Sequence, residues 1–155
     1  MKARPRRIER EVAKYLTEVF GEPFERIPVL GRTGPDLSVN HTRLVIDVKS
    51  RLSIPKGIYP PNGQLTLFGV GGLVGCRLAD LACIHTIDRF CQMEPYKCVQ
   101  QFYAHMDQWR AEQLPDGITA LVLHRPGMKI AGALFVIHSQ NLGEIQPCLA
   151  APQPT

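Results

Sequence analysis

The sequence predicts a single α/β domain in which helices flank a mixed sheet, and three observations support this fold class. Apolar side chains recur at helical spacing over residues 7–20. Apolar and polar residues alternate along 43–51, as is typical of a strand. A further helical segment at 96–113 precedes two apolar strands at 118–124 and 131–138. An order of helix, strands, helix and strands indicates an α/β architecture.

Length and composition limit the class of protein. The chain of 155 residues is long enough for one domain with a buried core, and its 45% hydrophobic and 21% charged residues are ordinary for a globular protein. The longest mostly apolar stretch, 65–76, is too short to span a bilayer, and no secretory signal is visible. We therefore expect a cytoplasmic protein with no membrane partner. Its five cysteines are then expected to be reduced thiols.

The segments between the long helices are short. Residues 24–29 are predicted to form a first strand, and a glycine- and proline-rich turn follows at 31–35. Residues 37–39 are predicted to pair with 43–51 through a tight turn at 40–42, which completes a three-stranded meander.

The second half of the chain is harder to interpret. A helix is predicted at 77–91, where Leu78, Leu81, Ile84, Ile87 and Phe90 recur. Residues 1–146 are assigned to one domain, and within it 52–94 form an insertion of unclear role. The proline-rich tail, 147–155, is expected to be disordered.

The strand at 43–51 contains residues that are candidates for metal binding and catalysis. Alternation places Leu44, Ile46 and Val48 on a core face, and Val45, Asp47, Lys49 and Arg51 on the other face. An acid and two bases on a strand face are costly to bury unless a charged ligand or a metal ion meets them. Asp36 lies at the mouth of the predicted neighbouring strand. Carboxylates in such a pair are suitable ligands for Mg²⁺, and a nearby lysine can orient an attacking water.

These residues resemble the signature of the PD-(D/E)xK nuclease superfamily. Pro35-Asp36 is similar to the first half of that motif, and Asp47-Val48-Lys49 is similar to the second half. The opening helix, with Glu9 and Arg10, resembles the first helix of archaeal-type Holliday junction resolvases, and the resemblance covers residues 7–51.

The resemblance implies a restriction-endonuclease-like core and a Mg²⁺-dependent endonuclease that cuts branched DNA as a homodimer, with Mn²⁺ as a possible substitute. It implies that Glu9, Asp36, Asp47 and the Val48 carbonyl hold the metal ion. It also implies that Lys49 positions the attacking water. Roughly forty residues, 52–94, separate the motif from the next core helix, which is a departure from the resolvase pattern.

Basic residues indicate where DNA would bind. The first ten residues carry five basic side chains against a single acid, an arrangement that suits phosphate contacts. A solvated N-terminal arm explains the same residues. The candidates for the DNA backbone are Arg6, Arg7, Arg10, Arg32 and Arg51.

Other interpretations stay open at this stage. The chain is alternatively a nuclease of the same fold that acts on duplex or single-stranded ends, or a catalytically inactive DNA-binding module. Asp36 alone is compatible with a turn cap, and Glu11 competes with Glu9 as the helix ligand. The aromatic residues Phe102, Tyr103 and Trp109 are predicted to serve helix packing. The spacing of Cys76, Cys83, Cys91 and Cys98 favours burial over metal binding, because no close CxxC pair is present.

Overall fold

A computed structural model describes residues 3–28, 34–68, 72–92 and 96–145, which form an α/β structure with a mixed six-stranded sheet. The strand order is β1-β5-β6-β3-β2-β4, and the β1–β5 and β2–β4 pairs are parallel whereas the others are antiparallel. The elements in chain order are α1 (Ala3–Phe20), β1 (Leu44–Ser50), β2 (Leu65–Leu67), β3 (Leu73–Arg77), β4 (Phe90–Gln92), α2 (Lys97–Gln113), β5 (Ile118–His124), β6 (Leu134–His138) and α3 (Leu142–Ile145).

Helices cover both faces of the sheet. On one face, Leu16 of α1 belongs to the same buried cluster as Leu44 and Ile46 of β1. On the other face, Val99 of α2 packs in a cluster with Leu121 of β5. Strand β1 is therefore buried on both sides, which explains why its apolar residues are nearly continuous. The predicted α/β class with a mixed sheet flanked by helices is confirmed.

The region 52–94, predicted as an insertion of unclear role, supplies half of the strands of the sheet. Strand β3 pairs with β6, β2 pairs with β3, and β4 forms the edge beyond β2. Val74 and Cys76 of β3 belong to the main buried cluster. The region is thus part of the core of the described structure.

The predicted meander is present only in part. Residues 24–28 and 36–38 do not form strands; they meet through one bridge between Arg26 and Leu37, with a hydrogen bond of 2.8 Å from the Ile27 N–H to the Asp36 carbonyl. The segment joins β1 through the Asp36 N–H, which donates to the Ile46 carbonyl at 2.9 Å. The strands predicted at 24–29 and 37–39 are therefore wrong as regular elements over the described residues 24–28 and 37–39, because proline and turn residues interrupt the hydrogen-bond ladder on both sides. Residue 29 lies outside the described part of the chain.

The predicted α-helix at 77–91 is also wrong. The chain forms a 3-10 helix, Leu78–Thr86, and then the short strand β4. Leu78, Leu81 and Ile84 recur every three residues and are buried, which fits the three residues per turn of a 3-10 helix better than the 3.6 of an α-helix. Phe90 continues the same spacing but is 57% exposed on the edge strand.

The remaining predicted elements are close to their observed bounds. The helices at 7–20 and 96–113 correspond to α1 and α2, and the strand at 118–124 is β5, whereas the strand predicted from residue 131 begins at Leu134. Within the described ranges, no helix combines the length and apolar character that crossing a membrane requires. Residues 31–33 of the predicted turn and the predicted disordered tail lie outside the described residues.

Candidate active site

Two carboxyl groups meet at the free edge of β1. Asp36 reaches this edge from the Gly34-Pro35 turn, and its Oδ2 accepts a hydrogen bond of 2.7 Å from the Val48 N–H. The Asp36 carboxyl lies beside the Asp47 carboxyl, close enough for a hydrogen bond when one of the two is protonated. Asp47 is only 5% exposed, whereas Asp36 is half-buried. The sequence motif therefore does bring its two aspartates together.

The Asp36 carboxyl holds its proton near neutral pH. Burial raises the pKa of Asp36 to about 8, and its hydrogen bond with Asp47 and the negative charges of Asp47 and Glu9 act in the same direction. The Val48 N–H opposes this rise because it stabilises the carboxylate. Two buried carboxyl groups in contact cannot both ionise at low cost, and a bound cation would remove that penalty.

Lys49 lies beside the carboxyl pair, as predicted. Its Nζ is 3.4 Å from Asp47 Oδ2, and its side chain is 22% exposed. Asp47 and Lys49 are opposite Leu121 and Leu123 of β5, whose side chains belong to the α2 face of the sheet. The predicted common face of Asp47 and Lys49 is therefore the face that α2 covers.

The backbone of Val48 also faces this site. Along a strand, the N–H and the C=O of one residue point to the same edge. Because the Val48 N–H donates to Asp36, the Val48 carbonyl is directed to the same free edge of β1. This direction agrees with the predicted use of Val48 as a backbone ligand, which stays a prediction.

Glu9 does not complete a three-carboxylate cluster. Its Oε1 accepts a hydrogen bond of 2.9 Å from Arg26 Nε, and both side chains are more than four-fifths buried. Burial raises the pKa of Glu9, whereas the Arg26 contact lowers it. Among the residues that the structure describes, no group of three or more His, Cys, Asp or Glu side chains is arranged to hold a metal ion. The ligand set Glu9, Asp36 and Asp47 is thus not assembled here.

The predicted DNA-binding arginines fall into two places. Arg6, Arg7 and Arg10 are exposed on α1, where Arg7 forms a surface ion pair of 3.4 Å with Glu11. Arg51 is exposed at the end of β1, and its guanidinium carbon is 5.3 Å from the centre of the Phe102 ring. Arg32 lies outside the described residues.

A groove of about 1110 Å³ runs between α1 and the turn after β5. The residues that line it include Arg7, Lys129, Ser50 and His124. Arg7 thus connects the groove to the basic N-terminal helix. Ser50 follows Lys49 directly in the chain, so that the groove begins beside the carboxyl pair, on the opposite face of β1.

Three residues near the site were not predicted from the sequence to belong to it. Arg26 neutralises Glu9, and Phe102 lies under Lys49, whose Nζ is 5.4 Å from the ring centre. His124 is 1% exposed and its Nδ1 is 2.7 Å from Ser50 Oγ. The pairing of Ser50 with His124 depends on the parallel register of β1 and β5, which no local pattern shows.

The cysteines are not arranged as a metal site. Cys76 lies in β3, Cys83 in the 3-10 helix, Cys91 in β4 and Cys98 in α2, and all four are free thiols. Burial in the core raises the pKa of the Cys76 thiol, as expected for a structural cysteine. The burial predicted for these cysteines is complete for Cys76 alone, because the four residues belong to four different elements.

Comparisons with protein-family models, with curated proteins and with solved structures find no match to this chain. The functional argument therefore depends on the residues of the site.

Proposed function

We propose that this protein is a metal-dependent deoxyribonuclease with a restriction-endonuclease-like core, and that it cuts branched DNA as an endonuclease. The observation that carries the proposal is the pair of the buried Asp47 and the half-buried Asp36, with Lys49 beside it. Burying two acids in contact destabilises a fold, and perturbed carboxyl pKa values of this kind are concentrated at functional sites.

The donor set fits one Mg²⁺ ion. This ion commonly binds through one or two carboxylates and completes its shell with waters and substrate phosphates. Asp36, Asp47 and the Val48 carbonyl would hold it, and Mn²⁺ is a possible substitute. A bound ion would supply Lewis acidity and a water of lowered pKa. Glu9 would join only after separation from Arg26.

The other groups of the site have roles that follow from their positions. The Lys49 ammonium can donate a hydrogen bond to the attacking water and can stabilise negative charge that develops on the phosphate. The exposed Arg6, Arg7 and Arg10 offer phosphate contacts on α1, and Arg51 offers one at the end of β1. A homodimer would place two such sites on the two symmetric strands of a junction.

A second candidate is a catalytically inactive DNA-binding module of the same fold. The Glu9–Arg26 ion pair favours it, because Arg26 occupies the Glu9 carboxylate, which would otherwise be an additional metal ligand. The intact Asp36, Asp47 and Lys49 favour the nuclease, since a binding module has no need for a buried carboxyl pair.

Cleavage of labelled DNA with Mg²⁺ or Mn²⁺ distinguishes these candidates. Four-way junctions, flaps and linear duplex are incubated with wild type and with Asp47→Ala. We expect cutting of junctions by wild type and none by the variant, with retained DNA binding. DNA binding without any cutting by wild type would refute the nuclease proposal. Degradation of linear ends with intact junctions would instead support the nuclease of duplex or single-stranded ends.

A further inference from the structure

The aromatic residues of α2 divide into a buried set and a half-buried set. Tyr103 and Met106 are buried, as expected for helix packing. Phe102 and Trp109 are only half-buried and lie seven residues apart, which is two helical turns and about 10.5 Å along the axis. Packing against the sheet therefore does not account fully for these two rings.

Both rings are adjacent to the candidate active site. The Phe102 ring contacts Lys49 and Arg51, which are 5.4 and 5.3 Å from its centre. The Trp109 indole packs on the turn that leads to Asp36: a Cβ placed on Gly34 would be 3.4 Å from Trp109 Nε1. Gly34 has a φ of +147°, so that both the backbone conformation and the close approach of the indole favour glycine there.

The surroundings of the rings indicate a nucleic-acid ligand. Trp109 is half-buried, so that part of its indole is accessible to a ligand. Lys49 and Arg51 supply positive charge at the other ring. An aromatic surface next to cations is the chemistry that binds unpaired nucleotides, because bases stack on the rings and phosphates contact the charges.

We propose that Phe102 and Trp109 bracket the active site and stack on unpaired bases that flank the bond to be cut. The ligand class is a single-stranded or splayed segment of DNA. The inference rests on the proposed nuclease function for its biological meaning, but the binding itself is measured without cleavage.

Trp109 is the single tryptophan of the chain, so that its fluorescence reports on this position alone. Full-length Asp47→Asn protein is titrated with an oligothymidylate of about 15 nucleotides, within the range of single-strand site sizes. A blunt hairpin duplex serves as the second ligand. We expect the oligothymidylate to quench the tryptophan emission. The midpoint of this quenching should equal the binding midpoint measured by the fluorescence anisotropy of a labelled oligothymidylate. The duplex should quench much more weakly.

Ring removal tests the second aromatic residue. Phe102→Leu is expected to weaken oligothymidylate binding by about 5- to 100-fold, whereas Phe102→Tyr, which keeps the ring, is expected to bind like the parent. Phe90→Leu is the matched control, because Phe90 is an exposed aromatic on β4 at the opposite edge of the sheet. Circular dichroism and unfolding midpoints verify that each variant is folded.

Several results would overturn the inference. One is binding detected by anisotropy without quenching of Trp109. Another is equal weakening by Phe102→Leu and Phe90→Leu. A third is emission that changes with protein concentration and not with oligonucleotide, because a second copy of the chain would then cover Trp109. Failure of wild type to cut any DNA would refute the nuclease proposal, but it would leave the stacking result intact.

Discussion

Asp36 and Asp107 are two aspartates beside the same sheet whose surroundings act on them in opposite ways. Asp107 Oδ1 accepts hydrogen bonds of 2.9 Å from Arg110 Nε and 2.6 Å from Thr119 Oγ1. Burial opposes its ionisation, but these bonds hold the pKa of Asp107 below its usual value. Asp36 has another carboxyl group as its partner, and its pKa is raised to about 8.

The difference shows which carboxylate serves the fold. Asp107 is satisfied by groups that belong to the protein, so that it contributes to stability without any ligand. Asp36 and Asp47 destabilise the protein unless a cation or a proton lies between them. A site that costs stability in this way is expected to have a function, whereas a satisfied one requires no further explanation.

Replacing each of the two aspartates by asparagine should have opposite effects on DNA cleavage and on stability. The loss of cleavage is the largest effect that we expect. Asp36→Asn is expected to lower DNA cleavage by at least about 10²-fold, because it removes a metal ligand. Its unfolding midpoint in EDTA should stay equal or rise, since an amide can still accept from Val48 and donate to Asp47.

Asp107→Asn is the matched control. It should leave cleavage within about twofold and should lower the free energy of unfolding by about 1 kcal/mol, because the bonds from Arg110 and Thr119 lose their ionic character. Steady-state cleavage and urea unfolding measure the two effects. Equal loss of cleavage in both variants would remove the distinction between the two sites.

Metal binding should stabilise the protein through the Asp36 site and not through Asp107. At a Mn²⁺ concentration of about 100 times its dissociation constant, binding contributes about 2.7 kcal/mol. For a protein of this length, that amount raises the thermal midpoint by roughly 5–10 °C. We expect this rise in wild type and in Asp107→Asn, and no rise in Asp36→Asn. A rise of similar size in all three proteins would show that the ion binds elsewhere.

Asp36 should make the metal-free protein less stable as the pH rises. In the unfolded chain this carboxyl titrates near pH ~3.9, and in the folded protein near pH 8. Between these values the folded protein binds more protons, so that the Asp36 contribution to stability is complete below the unfolded pKa and is lost as the pH rises towards 8. Asp107 has the opposite sign, since its contribution is present above its unfolded pKa and is lost only in acid.

Thermal melts in EDTA at pH 5 and pH 8 measure this linkage. From pH 5 to pH 8, the thermal midpoint of wild type should fall further than that of Asp36→Asn. The difference should be at least about 2–4 °C, the equivalent of about 1 kcal/mol. The comparison with Asp36→Asn removes the contribution of the histidines, which is common to both proteins. Parallel pH profiles in the two proteins would contradict the raised pKa.

The sequence predicts the proximity of Asp36, Asp47 and Lys49 better than it predicts the short elements around them. Alternation in 43–51 places Asp47 and Lys49 on one face, and the glycine–proline turn before Asp36 directs the second carboxyl to the same strand. Both features depend on local geometry. The contact between Glu9 and Arg26 depends on how α1 and the 24–28 segment pack, and it was not predicted.

The incorrect predictions about the fold also concern features that depend on contacts between distant segments of the chain. Whether 24–29 and 37–39 become strands depends on partners elsewhere in the chain, and the local pattern is the same with or without a ladder. The period of three in 78–87 is typical of a 3-10 helix, but over so few residues it is easily interpreted as the pattern of an α-helix. Strand β4 and the pairing of β3 with β6 follow from tertiary contacts, which composition and periodicity do not record.

The arginine partners of Glu9 and Asp107 allow a further comparison of the two regions, with the smallest expected effect. Arg26 is 2.9 Å from Glu9, and Arg110 is 2.9 Å from Asp107. Arg110→Gln should cost about 1 kcal/mol of stability and leave metal affinity unchanged. Arg26→Gln removes the positive charge that neutralises Glu9, whose own charge acts on Asp36, so that Mn²⁺ should bind roughly fivefold more tightly, the equivalent of about 1 kcal/mol.

Calorimetric titration with Mn²⁺ measures the affinity of each arginine variant, and urea unfolding measures its stability. Tighter binding in Arg26→Gln alone would show that this arginine acts as a counter-ion for Glu9 and competes electrostatically with the metal ion. Weaker binding would show the reverse, namely that Arg26 holds Glu9 in a position that the metal site requires. In either case Arg110→Gln reports what the loss of an arginine–carboxylate pair does away from the site, since Asp107 has Thr119 as a second donor.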